Sequence, residues 1–468
     1  MEVKELIRMS IERPIPFKKG IDQKNTLYVP STYFQKWVKK GEFPNQISFG
    51  SKTVLCQVVP HPDNKIEWQL SEDLWQVLSI PFETAIHVFE KDKALYLGPL
   101  VGIFSAGFTD NLHRPIGNRS IMFSQYLSAA KKLGGYFCIF GAHHIDWKQG
   151  VTKGFFYTEK GWKKCTIPLP NVIYDRLPNR KSEKADQIIE SKEKLSKEYL
   201  IPWFNPNFFD KWNIHTHLEQ DQTVKHYLPQ TRLAPTLDEI KTMLTEYQQV
   251  YVKPANGSLG IGVQQIIKLK TDEYYYCRFR QGNQNKLRRF KTLKQLIQQQ
   301  FPNGSLDHIL VQQGIQLIQL NNRPVDFRVH TNKNGKGEWS VSAIGAKIAG
   351  PGSVTTHINN GGVIKSMPEI LQEMKESKDY FQHLNAAALA LSHSIDNRVD
   401  GLIGEIGFDL GIDKKGQVWL FEANSKPGRS IFAHPDLKSE EIRSRTLPFE
   451  YALYLSQLSL LKPGIVLA

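Results

Sequence analysis

Asp409, Glu422 and Asn424 carry the most chemistry in this chain. Asp409 closes an apolar, strand-like run from Leu402 to Leu410. Glu422 and Asn424 lie two apart at the end of a second run that begins at Gln417. Successive strand side chains point to opposite faces, so Glu422 and Asn424 share one face. If the runs pair as a hairpin around Ile412-Asp413-Lys414-Lys415-Gly416, Asp409 joins them. Two carboxylates and an amide oxygen on one patch are hard oxygen ligands, suited to Mg²⁺ bridging nucleotide phosphates. A hairpin with solvated polar edges would carry the same residues, so the rest of the chain has to decide.

A second group stands upstream. Val250 to Pro254 reads as a buried strand ending on Lys253, and the loop Ala255 to Val263 follows at once. Gly257, Gly260 and Gly262, with Ser258 among them, let backbone approach a ligand and present amide N–H groups to phosphate oxygens. The chain then resumes a strand, Val263 to Leu269. A dinucleotide fingerprint needs a helix after its glycines, and a Walker loop needs Gly-Lys-Ser/Thr, so both are excluded. A glycine-rich hairpin lid over phosphates remains, beside a plain hairpin turn. A strand-end lysine can hold a phosphate as a point charge.

Three further segments could wall the same cleft. Asp307 to Ile315 reads as a buried strand whose backbone could meet an adenine edge or simply belong to a core. Arg323 to His330 alternates and puts Asp326, Arg328 and His330 on one face. That pattern suits a polar cleft or a solvated sheet face. His330 could act as a general base, and a structural histidine fits equally. Lys347 lies in the strand Ser342 to Ile348, and the polar loop Thr355 to Gly362 could form a second wall.

The elements that must position these residues fall into about three units, as 468 residues exceed one ordinary core. Residues 1–100 read as a small β-rich accessory domain, with strands at Thr26–Pro30, Ile47–Gly50, Thr53–Val59 and Ala85–Glu90 and helices at Ser31–Lys39 and Ser71–Val77. Residues 101–200 read as an α/β domain. Its strand near Leu100, helix Ile121–Leu133, Gly134-Gly135 stop and strand Tyr136–Phe140 form a βαβ unit. Asn171–Asp175 looks like another strand end, and charged Ser182–Lys197 like a surface helix. Residues 201–465 alternate strands and helices, among them Leu237–Tyr247 and a closing helix Leu447–Leu460. The fold class is therefore mixed α/β and α+β.

Net charge is +14 and suits anionic partners. The run Lys286 to Lys291 reads as a solvated helix end or loop. Without an RNA-binding signature, zinc finger or arginine-rich tail, nucleic acid is not the expected partner. No apolar run is long enough to cross a bilayer. The acidic, discontinuous N-terminus and four scattered cysteines point to a cytoplasmic chain with reduced thiols.

In order, Phe209-Asp210-Lys211-Trp212, Tyr251-Val252-Lys253-Pro254, the glycine loop, Val311-Gln312-Gln313-Gly314-Ile315, Asp326-Phe327-Arg328, Asp409 and Glu422-Ala423-Asn424 resemble the ATP-grasp superfamily over roughly residues 100–462. The tail Asn424-Ser425-Lys426-Pro427-Gly428 looks like the ending of D-alanine–D-alanine ligases, and the glycine loop like that of the ligases that add glutamate to ribosomal protein S6. A closer similarity is to the YheC/YheD family, the endospore coat-associated ATP-grasp proteins. It rests on Gly98–Ile103, Tyr174–Arg180, Tyr227–Thr231 and Asn359-Asn360-Gly361-Gly362.

The resemblance implies an ATP-grasp fold behind a pre-ATP-grasp domain. It implies that Lys211 and Lys253 hold ATP phosphates, that Gly257 to Gly262 cap them, and that Gln313 to Ile315, with Gln312 in the same connection, bracket adenine. Asp409, Glu422 and Asn424 would bind one or two Mg²⁺, and Arg328 and Lys347 would face the transferred phosphate or the acceptor. Three departures stand out. Gln312-Gln313 sits where a glutamate is common, Lys347 where many members use arginine, and Gly407 where D-alanine ligases place an arginine.

The activity implied is an ATP-dependent carboxylate–amine (or thiol) ligase working through an acyl-phosphate. The carboxylate and amine substrates are not specified, and spore-coat proteins are candidate partners. The alternative is a nucleotide-binding structural or assembly protein of the spore coat without ligase turnover.

Overall fold

Alternation along two strands builds the framework of the site. In strand Arg323–Lys333, Val325, Phe327 and Val329 are fully buried, which turns Asp326 and Arg328 to the opposite face. In strand Glu405–Ile412, Ile406, Phe408, Leu410 and Ile412 are fully buried, which turns Asp409 the same way. The two strands pair antiparallel with Arg328 opposite Asp409. The computed structural model describes residues 13–466 apart from 21–22, 64, 256, 258–259, 283, 302–303, 357–359 and 375–378. Ser258 lies outside the described residues, as does Asn359 of the stretch Asn359-Asn360-Gly361-Gly362.

Four sheets follow one another along the chain. The first gathers eight strands between Ile15 and Gly98. Here the run Thr53–Val59, expected as one strand, divides at Cys56. Lys52–Leu55 pairs antiparallel with Gln46–Phe49, whereas Gln57–Pro60 pairs parallel with Thr26–Val29, and the halves finish on opposite edges. The buried Cys56 side chain marks the bend.

The second sheet contains the expected βαβ unit. Leu100–Phe104 and Tyr136–Phe140 are parallel, with helix Ser120–Ala130 between them and Gly134 at φ +80° ending the connection. Val172–Asp175 adds parallel to Leu100–Phe104, and Trp203–Phe204 adds to that. The charged stretch expected as one helix breaks into Arg180–Glu183 and Asp186–Glu193, because Ala185 is extended and starts the second piece afresh. Glu183, at the end of the first piece, and Lys192, in the second, are both largely buried.

The third sheet carries the glycine loop between Gln249–Pro254 and Gln264–Ile267. The basic run at Lys286 is neither helix end nor loop. It belongs to strand Gln284–Phe290, an exposed edge of this sheet, where charged side chains discourage further pairing. The fourth sheet holds Arg323–Lys333, Trp339–Ile348, Glu405–Ile412 and Val418–Asn424. Helix Tyr380–Arg398 buries Leu384, Ala388, Leu391 and Ile395 in the apolar core beneath that sheet. The closing helix is longer than expected, Lys438–Leu461, with Pro448 inside it. Among the described residues, no helix is long and apolar enough to cross a membrane.

Candidate active site

Lys253 ends its strand between two sheets. Its ammonium donates to Gln312 Oε1 at 2.9 Å and to the Phe421 carbonyl at 3.3 Å. Lys211 occupies the first turn of helix Lys211–Glu219, whose start is capped by Asp210 accepting from the Trp212 and Asn213 amides. From there its ammonium reaches 3.6 Å from Glu422 Oε2. Both lysines, Gln312, Phe421 and Glu422 line one recess. Burial and the neighbouring Lys211 charge push the Lys253 pKa down to about 8, against the pull of Glu422 and Asp409. Among the described residues Lys253 has no ion pair. Two adjacent lysines held this way are short of negative charge, which a polyphosphate would supply.

The acids sit where the hairpin reading put them. Strands Glu405–Ile412 and Val418–Asn424 pair antiparallel with Asp409 opposite Glu422, and a register shift follows Asp409. Asn424 lies opposite Gly407 and two residues from Glu422. A larger cavity brings Lys253, Asp409 and Glu422 together with Lys347, Asp326, Tyr251, Gln312, Gln313 and Ile315. Gly260 and Val263 of the glycine loop and Thr355 and Thr356 also line it. All three expected metal ligands offer oxygen, which fits a hard cation such as Mg²⁺. Asp409 now meets cationic side chains: Lys347 Nζ is 2.8 Å from Oδ1 and Arg328 Nη2 is 3.0 Å from Oδ2. A divalent ion there would compete with those two charges.

Asp326, set by alternation on the cleft face but given no role from the sequence, is part of the site. Its Oδ1 lies 3.1 Å from Lys347 Nζ, and Thr356 donates to its Oδ2. Burial works against the Lys347 charge, yet Asp326 and Asp409 outweigh it and hold its pKa above the ordinary lysine value. Burial raises the Asp326 pKa, and the Asp409 charge adds to that. The signal was present, since alternation already set Asp326 beside Arg328.

His330 shares that alternation but not the cavity. It is fully buried, its ring lies 5.2 Å from that of Phe432, and neither ring nitrogen has a hydrogen-bond partner among the described residues. Burial, with Arg328, Arg429 and Arg176 nearby, drives its pKa well below 6.5, so it stays neutral.

The expected adenine connection is largely engaged already. Gln313 N–H donates to the Gln230 carbonyl and Gly314 N–H to the Gln249 carbonyl, both near 3 Å at 2.8 and 3.0 Å. Gly314 touches Gln249 so closely that a Cβ would fall 2.4 Å from Gln249 Cγ. In the glycine loop, Gly260 and Gly262 adopt φ of +69° and +75°. Gly257 N–H closes a turn onto the Pro254 carbonyl. Gly407 explains one departure noted above: a Cβ there would lie 3.0 Å from Arg328 Nη1 and 2.4 Å from Pro427 Cβ. The guanidinium of Arg328 approaches from the adjacent strand and needs that small residue.

A family model described as YheC/D like ATP-grasp matches residues 200–455. Over 457 residues the chain is 42% identical to the endospore coat-associated protein YheD of Bacillus subtilis (strain 168), covering 96% of this chain and 98% of that one. The endospore coat-associated protein YheC of the same organism is 25% identical over 308 residues, 63% of this chain and 80% of the relative. Among solved structures, the D-Ala:D-Ser ligase VanG from Enterococcus faecalis aligns at 12% identity and a TM-score of 0.45, over 76% of this chain and 99% of that one. From the matching family model and the identity to YheD, the chain belongs to the YheC/D family of ATP-grasp proteins.

Proposed function

We propose that this protein is an ATP- and Mg²⁺-dependent ligase that joins a carboxylate to an amine, or to a thiol, through an acyl-phosphate. The supporting observation is the shared cavity: Lys253 and Glu422 line it together with Asp409 and Lys347. In this reading Lys211 and Lys253 hold the phosphates of ATP, and Gly257, Gly260 and Gly262 close over them. Tyr251, Gln313 and Ile315 surround the base. Mg²⁺ held by Asp409, Glu422 and Asn424 would neutralise charge on the transferring group. Arg328 and Lys347 would stabilise the phosphoryl group as it moves.

The bookkeeping needs no side-chain nucleophile. A substrate carboxylate oxygen attacks the γ-phosphorus, and the bond to the β-phosphate oxygen breaks, releasing ADP. An amine nitrogen then attacks the acyl carbon, inorganic phosphate leaves, and the nitrogen loses a proton that the phosphate can accept. Catalysis is then positioning and electrostatics.

We assign residues 1–100 to an accessory domain, 101–200 to a pre-ATP-grasp domain and 201–465 to the ATP-grasp domain. Association with the spore coat is carried over from the printed names of the relatives. Those names also support a second reading, a coat-assembly protein that binds nucleotide without turnover. The test is an ADP-release screen against amino acids, peptides and cell-wall precursors, with mass spectrometry of the product. Substrate-stimulated ADP release with a new amide or thioester supports the ligase. Tight ATP binding without any stimulated release supports the assembly protein.

A further inference from the structure

Beside the proposed nucleotide cavity, Arg176 and Arg429 pack over Tyr126, with Arg119 and Arg328 close by. Arg328 reaches Asp409 through Nη2, but its Nη1 is buried and has no partner among the described residues. Arg176 Nη1 pairs with buried Glu405 at 3.1 Å, and Tyr174 donates to the same carboxylate oxygen. Arg429 donates to Tyr126 Oη at 3.1 Å, to Ser444 Oγ and to the Glu441 carbonyl, and its Nε is buried without a partner. Arg119 donates to Ser105 Oγ at 3.0 Å and to the Ala106 carbonyl. Ser105 in turn donates to the Arg176 carbonyl at 2.9 Å. The guanidinium carbons of Arg176 and Arg429 both lie over the Tyr126 ring, at 5.9 and 5.3 Å.

Among the described residues, neither Arg119 nor Arg429 meets a carboxylate. Both are partly buried on neutral acceptors alone, an arrangement that a bound anion would stabilise. The field of this cluster is felt at His330, whose imidazole is held neutral by burial and by Arg328, Arg429 and Arg176. The position is also suggestive. Ser105 and Arg176 follow the carboxyl ends of the parallel strands Leu100–Phe104 and Val172–Asp175, the edge where open α/β sheets take their ligands. Arg429 is itself only partly buried, between the exposed Gly428 and Ser430.

We propose that Arg429 and Arg119 hold a second, non-reacting carboxylate of the substrate, so that the acid activated here is a dicarboxylate. The reacting carboxylate lies toward Arg328 and Asp409. The other is gripped by planar forks that match carboxylate geometry. An acidic amino acid and a peptide ending in one both present this chemistry. The assignment of the reacting end rests on the ligase reading above, whereas the anion grip does not.

The test is equilibrium binding to the full chain in Mg²⁺ and a non-hydrolysable ATP analogue. Glutarate and pentanoate differ only in the second carboxylate. Glutarate should bind at least tenfold tighter, and Arg429→Gln should remove that preference in protein that still binds the analogue. L-glutamate against Ala-Glu then separates a free amino acid from a peptide terminus. Equal binding of glutarate and pentanoate by the unaltered protein overturns the proposal without any variant. A preference that survives both Arg429→Gln and Arg119→Gln overturns it as well. Failure to bind the ATP analogue would sink the ligase reading instead, and the glutarate comparison repeated without nucleotide would still decide the anion site.

Discussion

The ammonium of Lys253 rests 2.9 Å from an uncharged oxygen, Oε1 of Gln312, in the position where a carboxylate would have neutralised it. Burial and Lys211 lower its pKa to about 8, below the ordinary 10.5. In the unfolded chain the lysine stays charged up to about 10.4, so between these values the folded protein sheds a proton the unfolded chain keeps. Stability therefore falls as pH drops from about 10 to 8, and the charged form is a strain that a bound anion relieves.

ATP affinity carries the opposite sign. In its proposed role Lys253 is protonated below pH 8 and would attract phosphate, and above it that charge is lost. Affinity for ATP should weaken by up to about tenfold for each pH unit above 8, the limit for one linked proton. In Lys253→Arg the charge persists, and this slope should flatten. Calorimetric titration of an ATP analogue at pH 7, 8 and 9 checks both.

Asp409→Asn or Glu422→Gln should abolish ADP release and leave the fold intact by circular dichroism. Asp409→Asn removes the shared partner of Lys347 and Arg328, so it should also cost about 1–3 kcal/mol in stability. Glu422, at 3.6 Å from Lys211, should cost less. Normal turnover in either variant would defeat the metal assignment.

Gly314→Ala should destabilise by about 1–3 kcal/mol through overpacking, because its Cβ would sit 2.4 Å from Gln249 Cγ and 2.7 Å from the Gln249 carbonyl oxygen. Urea denaturation should show a lower midpoint. Gly416→Ala, in the hairpin turn at φ +89° with open space around it, tests backbone strain instead and should cost about 1 kcal/mol.

The Lys426 side chain is 2% exposed and bridges Asp175 at 2.7 Å and Glu183 at 3.1 Å. Lys426→Met should cost about 1–3 kcal/mol, less than the loss of a lone buried partner, because Lys192 still pairs with Asp175 at 2.8 Å. Because Asn424 lies two residues away, the variant should also need more Mg²⁺ for half-maximal ADP release. A normal Mg²⁺ requirement would show the bridge to be purely structural.

How legible this was in the sequence depends on the range of the interaction. Period-two alternation located the faces carrying Asp409, Glu422 and Arg328, since a strand's side-chain direction is local. Helix Leu237–Tyr247 matched its expected limits because Thr236 and Glu239 cap it within one turn. Nothing local told that the stretch around Cys56 feeds two edges of a sheet, or that the basic run at Lys286 is an edge strand. Both depend on partners far along the chain. The arginine cluster was equally hidden, for Arg119, Arg176, Arg328 and Arg429 meet only in space.

The bridge from Lys426 to Asp175 reaches beyond stability. It clamps the turn following Asn424 to the tip of Val172–Asp175, so the end of one sheet that carries the proposed cation ligands is tethered to a strand of another. A displacement of that strand would pull on the turn next to Asn424, one of the proposed cation ligands. If the ligase reading holds, this bridge joins the amino-terminal sheet to the nucleotide site.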